Sequence, residues 1–182
     1  MKKSTKTYLK RPSEDYTNRS ANPSITRAST ILFDSMQELK KHELKIKQNK
    51  KITHYSYGRY GSSTTIELEN ILKELENAYH VFLTGTGFGG IALALMSLCR
   101  PGDEILVSDN VYGPTKEISE KLLKEFNIIA IFYNPDSFED LKSKVTKKTK
   151  MILVENPGSI TFEFQDLSKI VSLAKKNNIL TL

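Results

Sequence analysis

From Ser63 onward, short apolar runs of strand length alternate with stretches of helical periodicity, and this alternation limits the fold more than any other feature of the chain. Strands separated by helices do not pair as hairpins. They cross over and lie parallel, and helices then cover both faces of the sheet. The apolar runs agree, because a strand covered on both faces has little polar alternation. The strand candidates are Val81-Phe82-Leu83, Glu104 to Val107, Ile128 to Tyr133, Met151 to Val154 and Ile179 to Leu182. Pro114 suits the first turn of a helix carrying Ile118, Leu122 and Phe126. Asp136 is placed to cap a short helix with Phe138 and Leu141, and Leu167, Ile170, Val171 and Ala174 mark the last helix. The expectation is an α/β domain on a mainly parallel sheet with flanking helices.

Ahead of these strands, Thr64 and Glu67 have capping-box spacing. Leu68, Ile71, Leu72, Leu75 and Tyr79 then recur on one helical face, which reads as core packing and not as a binding face. Residues 1–62 lack a long periodicity and are rich in Ser, Thr, Asn and Pro as far as Thr30, so they read as an extended N-terminal arm. Within the arm a short helix is expected at Ser35 to Gln48, with Met36, Leu39 and Leu44 loosely on one face. An arm of this kind packs on its own domain or on a partner chain. The domain proper is expected over 63–182.

Composition narrows the functional classes. With 38% hydrophobic and 26% charged residues in 182, the chain is globular and not disordered. No apolar run approaches the roughly 20 residues of a membrane span. The net charge is +6, yet acidic residues are interspersed among most of the lysines. The densest basic stretch, Lys40 to Lys51, contains Glu43 and no aromatic residue that could stack on a base, so no nucleic-acid partner is expected. One cysteine, Cys99, excludes an intrachain disulfide, and the basic start Met1-Lys2-Lys3 lacks the apolar stretch of a secretory signal. A cytoplasmic location is the expectation. His42, His54, His80 and Cys99 have no metal-ligand or triad spacing and read as structural; no metal is expected.

The strongest local chemistry is Thr84-Gly85-Thr86-Gly87-Phe88-Gly89-Gly90, running into Ile91-Ala92-Leu93-Ala94-Leu95. Glycines let a ligand approach the backbone, and the unpaired N–H groups of a helix start point at an anion. Thr84 and Thr86 offer hydroxyl donors as well. Three readings stand side by side. One is a phosphate cup for a cofactor. Another is a dinucleotide site, because Gly85, Gly87 and Gly90 match Gly-x-Gly-x-x-Gly and Asp109 could be the acid of the next strand. The last is tight helix–sheet packing. No Gly-Lys-Ser/Thr follows, so the turn is not a Walker loop.

Four segments, taken together, resemble one enzyme family. They are Tyr55-Ser56-Tyr57-Gly58-Arg59-Tyr60-Gly61, Thr86-Gly87-Phe88, Asp109-Asn110-Val111-Tyr112-Gly113-Pro114 and Glu155-Asn156-Pro157-Gly158-Ser159-Ile160-Thr161. In order and approximate spacing they are similar to the cystathionine β-lyase branch of the Cys/Met-metabolism enzymes that use pyridoxal 5'-phosphate. The resemblance covers nearly the whole chain. It implies the large domain of the PLP-dependent transferase fold (fold type I), here incomplete, and lyase chemistry on cystathionine in methionine biosynthesis. It also implies that Tyr57 and Arg59 reach across a subunit boundary of a homo-oligomer to the neighbour's cofactor phosphate. Arg offers a planar fork of donors for such a group. Gly87 and Phe88 would be the backbone donors to the phosphate within their own subunit. Tyr112 would stack on the pyridine ring near the substrate, and Glu155 and Asn156 would lie near the cofactor edge. Asn156 departs mildly from the Ser or Thr usual there, and Phe88 is bulkier than the small residue common at its position.

The family's next segments are an Asp-Asn-Thr whose aspartate pairs with the pyridine nitrogen, the lysine that binds the cofactor covalently, and an arginine for the substrate carboxylate. The sequence ends at Leu180-Thr181-Leu182, where the first of these would begin. The expectation from the resemblance is a truncated chain that is inactive alone. Two alternatives stay open: a non-catalytic partner completing another chain's site, and a nicotinamide oxidoreductase resting on the glycine spacing.

Overall fold

A computed structural model describes residues 23–48 and 55–182. The basic start and His54 lie outside the described residues. The chain divides into two compact units, Met1–Leu83 and Thr84–Leu182.

In the first unit, helix α1 spans Met36–Lys47, with Ser35 as N-cap accepting from the Glu38 N–H and Gln48 as C-cap. These bounds match the expected helix. Its buried residue is His42, packed on the Phe33 ring at 5.4 Å, while Met36 and Leu44 are exposed. A 3-10 turn follows at Gly58–Tyr60, then helix α2 at Ser63–Glu76. The cap of α2 is not Thr64 with Glu67. Ser62 is the N-cap, and its box partner is Thr65 at the third helical position. Thr64 is engaged elsewhere: its hydroxyl oxygen accepts from the Thr26 N–H at 2.8 Å. The arm thus docks on the start of α2 within its own unit.

The stripe expected to be core on α2 is only partly so. Ile66 is buried, but Leu68 and Leu75 are exposed, and Tyr79 lies beyond the helix. Val81-Phe82-Leu83 forms no strand, and Phe82 is 77% exposed. A three-residue run holds extended pairing only if a neighbour accepts its ladder, and none of the described strands does.

The second unit is a four-stranded parallel sheet in the order β2-β1-β3-β4. The strands are β1 (Glu104–Ser108), β2 (Ile129–Tyr133), β3 (Thr149–Leu153) and β4 (Leu180–Thr181). Helix α3 (Gly87–Leu98) precedes β1. Helix α4 connects β1 to β2; it begins as α at Gly113–Glu117, widens to a π-helical stretch at Ile118–Leu122 and closes as α at Leu123–Glu125. Short α5 (Phe138–Ser143) leads to β3, and α6 (Leu167–Lys176) leads to β4.

The side-chain alternation of β1 divides the core. Ile105 and Val107 join Met151, Leu153, Leu95 of α3 and Ile118 and Leu123 of α4. Leu106 joins Ile152, Leu141 of α5 and Ile170 and Ala174 of α6. Helices therefore lie on both faces, as the sequence predicts. Right-handed crossovers demand this arrangement, because the β1-to-β2 and β2-to-β3 connections travel in opposite directions.

Two local details depart from simple periodicity and capping. Of the apolar residues expected on this helix, Ile118 is buried, but Leu122 and Phe126 are exposed, and Leu123 is fully buried instead. The π-helical stretch adds a residue to the turn and advances the apolar face by one position. Helix α5 is capped by Ser137, which accepts from the Asp140 N–H, and not by Asp136.

Candidate active site

The sheet order creates a switch point. The chain leaves β1 toward β2 on one side, then returns past it to β3 on the other. Open α/β sheets bind ligands in the crevice outside the carboxyl ends of strands at such a point. Asp109 to Tyr112 leave β1 there, and Glu155 and Asn156 follow β3 there. Helix α3 joins β1 through the short turn after Cys99 and packs over the sheet, so it runs antiparallel to β1. Twelve helical residues span about 18 Å and five strand residues about 17 Å. The N-terminus of α3 therefore comes to the carboxyl end of β1.

That N-terminus is an open cradle. Thr86 is the N-cap, and its hydroxyl accepts from the Gly89 N–H at 3.0 Å. The Gly90 N–H donates to the Thr86 carbonyl at 3.2 Å, and the Thr84 hydroxyl donates to the same carbonyl at 2.9 Å. Thr84 is thus spent on the turn and is not the free donor expected. The N–H groups of Gly87 and Phe88 meet no acceptor among the described residues. A Cβ added at Gly85 or Gly87 would meet no atom within 4 Å. Glycine there is not needed for packing, so the packing reading fails at these two positions. The dinucleotide reading loses its lead-in strand, since Val81–Leu83 is not one. Two free amides, a helix dipole of about 0.3–1 kcal/mol and clear space suit the phosphate of pyridoxal phosphate.

Tyr112 is 49% exposed, and its main chain is hydrogen-bonded at both ends. Its N–H donates to Glu155 Oε2 at 2.9 Å, and its carbonyl accepts from the N–H groups of Thr115 and Lys116. Asp109 is paired with Lys116 at 2.6 Å, and this hydrogen bond raises the Lys116 ammonium pKa above its ordinary value. The Lys116 ammonium also lies 5.2 Å from the centre of the Phe132 ring. Asp109 is therefore committed locally.

Beneath Glu155 lies a buried polar cluster that the sequence does not announce. The Tyr133 hydroxyl, in a residue 1% exposed, donates to Gln165 Oε1 at 2.9 Å. Burial pushes the Tyr133 pKa up to about 12, against the lowering effect of its hydrogen bonds. Gln165 Nε2 donates to Ser108 Oγ at 3.0 Å and to the Glu155 carbonyl at 3.3 Å, and the Gln165 N–H donates to Asn156 Oδ1 at 2.8 Å. Ser108 in turn donates to Asn110 Oδ1, and Asn110 Nδ2 donates to Glu163 Oε2 at 3.2 Å. The loop carrying Gly158 closes against this cluster. A Cβ on Gly158 would lie 2.1 Å from Asn110 Nδ2, so only glycine fits. Phe162 and Phe164 point outward while Glu163 and Gln165 make these contacts. Hydrophobicity alone predicts the reverse, which is why Gln165 escapes a sequence reading.

Tyr57 and Arg59 belong to the first unit. Gly58 is pressed against the arm: its N–H donates to the Ser29 carbonyl, and a Cβ would lie 1.8 Å from the Ala28 oxygen. Tyr57 pairs with Thr30 in an antiparallel bridge. The Arg59 guanidinium lies 5.5 Å from the Tyr57 ring centre and 5.3 Å from that of Tyr60. The Arg59 guanidinium also donates to the Tyr60 hydroxyl at 3.5 Å, and no carboxylate of the described residues pairs with it. Cys99 is buried, with burial pushing its thiol pKa up, and His80 packs on Phe82; both agree with structural roles. No group of His, Cys, Asp and Glu among the described residues could hold a metal. No helix of the described residues is long and apolar enough to cross a membrane.

The fold is a doubly wound α/β domain with an open, glycine-rich helix start at its switch point. The chain belongs to the Cys/Met metabolism PLP-dependent enzyme family, whose model matches residues 4–182. It is 34% identical over 158 residues to the cystathionine β-lyase of Bordetella avium, covering 87% of this chain and 39% of that one. It is 32% identical over 163 residues to the cystathionine β-lyase of Haemophilus influenzae, covering 90% of this chain and 40% of that one. The chain thus spans about two fifths of the length of these relatives. Among solved structures, the cystathionine γ-lyase of Lactobacillus plantarum, complexed with L-serine, superposes with a TM-score of 0.83 at 25% identity, over 100% of this chain and 44% of that one. The fold is the PLP-dependent large domain with a parallel sheet and flanking helices, represented here in part.

Proposed function

We propose that these residues form the N-terminal part of a cystathionine β-lyase, with 1–62 as an arm and 63–182 as part of the cofactor domain. The overall reaction breaks the Cβ–S bond of cystathionine, takes up one water and yields homocysteine, pyruvate and ammonia. The observation that carries this reading is the open pair of amides at Gly87 and Phe88, set at the carboxyl end of β1 beside a fixed Tyr112. When bound, the cofactor supplies an electron sink for the carbanion formed at the substrate's α-carbon. This chain's own residues bind and orient. Gly87 and Phe88 donate to the phosphate. Thr86 keeps the first turn of α3 formed. Tyr112, its main-chain N–H held by Glu155, would stack on the pyridine ring. Tyr57 and Arg59 serve the phosphate site of a neighbouring subunit. Each charged hydrogen bond of this kind contributes about 1.5–3 kcal/mol.

The covalent lysine is not among the 182 residues in the matching context, so these residues alone turn over no cystathionine. The test is an assay of pyruvate and homocysteine release. The 182 residues alone give none; mixed with a chain that carries the lysine segment, they restore release. Cysteine and 2-oxobutyrate as the products would move the assignment to a γ-lyase. Turnover by the 182 residues unaided would refute the division of labour. Affinity for a nicotinamide dinucleotide in a calorimetric titration would revive the oxidoreductase alternative.

A further inference from the structure

We propose that Gln165 is a positioning residue of the cofactor site, holding Glu155 and Asn156 and, through Glu155, the stacking residue Tyr112. This rests on the reading of the site given above.

Gln165 is 8% exposed, and every polar atom of its side chain has a partner. Those partners come from three separate strands' ends. Ser108 closes β1, Tyr133 closes β2 and Glu155 follows β3. The amide is therefore a cross-brace beneath the crevice where β1 and β3 diverge. Its oxygen accepts a hydrogen bond from the Tyr133 hydroxyl, which fixes the orientation of the amide. Its nitrogen must then face Ser108 and the Glu155 carbonyl. The Gln165 main chain adds a separate hold on the Asn156 side chain.

The consequence travels one bond further. With its carbonyl fixed, Glu155 places its carboxylate on the Tyr112 N–H at 2.9 Å. Tyr112 has no other hydrogen bond from its N–H among the described residues. Its ring orientation over the switch point thus depends on a residue that never touches the ring. Side-chain identity matters for this role. A shorter or apolar group leaves the Glu155 carbonyl unheld, and a carboxylate cannot donate to it.

A brace that only stabilises the fold predicts a different outcome from one that positions the ring, and two variants separate them. Gln165→Met, unbranched and of similar volume, removes the donors and leaves the Tyr133 hydroxyl buried without a partner. Tyr133→Phe/Gln165→Met removes that orphan as well and so recovers thermal stability. The protein is titrated with pyridoxal phosphate, following affinity and the visible circular dichroism of the bound cofactor, and the melting temperature of each variant is measured without it. The expectation is a loss of about tenfold in affinity and a weakened dichroic band in both variants, with stability regained in the double variant only. Recovery of affinity and dichroism along with stability in the double variant would overturn the positioning role. So would wild-type affinity and dichroism in Gln165→Met. Absence of pyridoxal phosphate binding by the unaltered protein would instead remove the site reading itself, and this inference with it.

Discussion

The Tyr112 N–H donates to Glu155 Oε2 at 2.9 Å, joining the loop after β1 to the loop after β3 across the switch point of the sheet. The two residues are 43 positions apart in sequence, and each reaches the contact because its strand ends there. This bond turns two separate strand ends into one wall of the site.

Removing the acceptor should loosen that wall. Glu155→Leu is expected to speed hydrogen exchange at the Tyr112 amide and to lower pyridoxal phosphate affinity about tenfold, which corresponds to about 1.4 kcal/mol. Glu155→Gln keeps an acceptor oxygen and should stay within about threefold of the unaltered protein. Equal loss in both variants would mean that the negative charge, and not the hydrogen bond to Tyr112, is what matters.

Two glycines should respond in opposite ways. Gly58→Ala drives a methyl group into the Ala28 carbonyl, so it should destabilise the first unit by about 1–3 kcal/mol or more in denaturant melts. Gly87→Ala meets empty space and replaces glycine within a helix, so stability without cofactor should hold or rise slightly. Its cofactor affinity should nevertheless fall at least about tenfold, because the methyl group crowds the phosphate's approach. A Gly87→Ala protein that binds the cofactor normally would argue against the cradle.

Alkaline pH should act through Tyr133. Its folded pKa, near 12, lies above the unfolded value of 10.0, so the folded state keeps its proton longer. Stability from this source is complete below about pH 10 and is lost as pH rises toward 12. The loss is on the order of 2–3 kcal/mol if the shift is expressed in full. Denaturant melts at pH 9 and pH 11.5 should show the slope in the unaltered protein and a smaller one in Tyr133→Phe. An identical slope in both would place the effect elsewhere.

The π-helical stretch in α4 makes a sharp packing prediction. Leu123→Ala empties a fully buried position and should cost about 2–5 kcal/mol, whereas Leu122→Ala, on the exposed side, should cost under about 1 kcal/mol. Comparable losses in chemical denaturation would mean that the helix is regular and that the apolar face sits where simple periodicity puts it.

That helix also marks the limit of what the sequence discloses. Alternating apolar runs were enough for the parallel sheet and its two helical layers, because burial on both faces leaves a direct imprint on composition. Pro114 marked a helix start because a fixed backbone angle and a missing N–H act within one turn. The inserted residue at Ile118–Leu122 leaves no imprint, since it depends on the packing of α4 as a whole. Ser137 displaces Asp136 as cap of α5 by one position, and Ser62 with Thr65 displaces Thr64 with Glu67 on α2. Such choices differ by less energy than the neighbouring contacts supply. Val81–Leu83 looked like a strand because three apolar residues in a row cannot report whether a partner accepts them. At the site, the glycine turn stood out as a local pattern, whereas Tyr112 and the Tyr-Gly-Arg segment stood out only through the family resemblance. Gln165 did not, because its partners Ser108 and Tyr133 lie 57 and 32 residues away in sequence and only the folded sheet brings them together.

The central claim is that the first amides of α3 grip the cofactor's phosphate, and a crystal structure of the protein with pyridoxal phosphate tests it most directly. The phosphate should sit within hydrogen-bond distance of the Gly87 and Phe88 N–H groups, with the ring against Tyr112. A phosphate bound elsewhere, with side chains filling the space above Gly85 and Gly87, would contradict it.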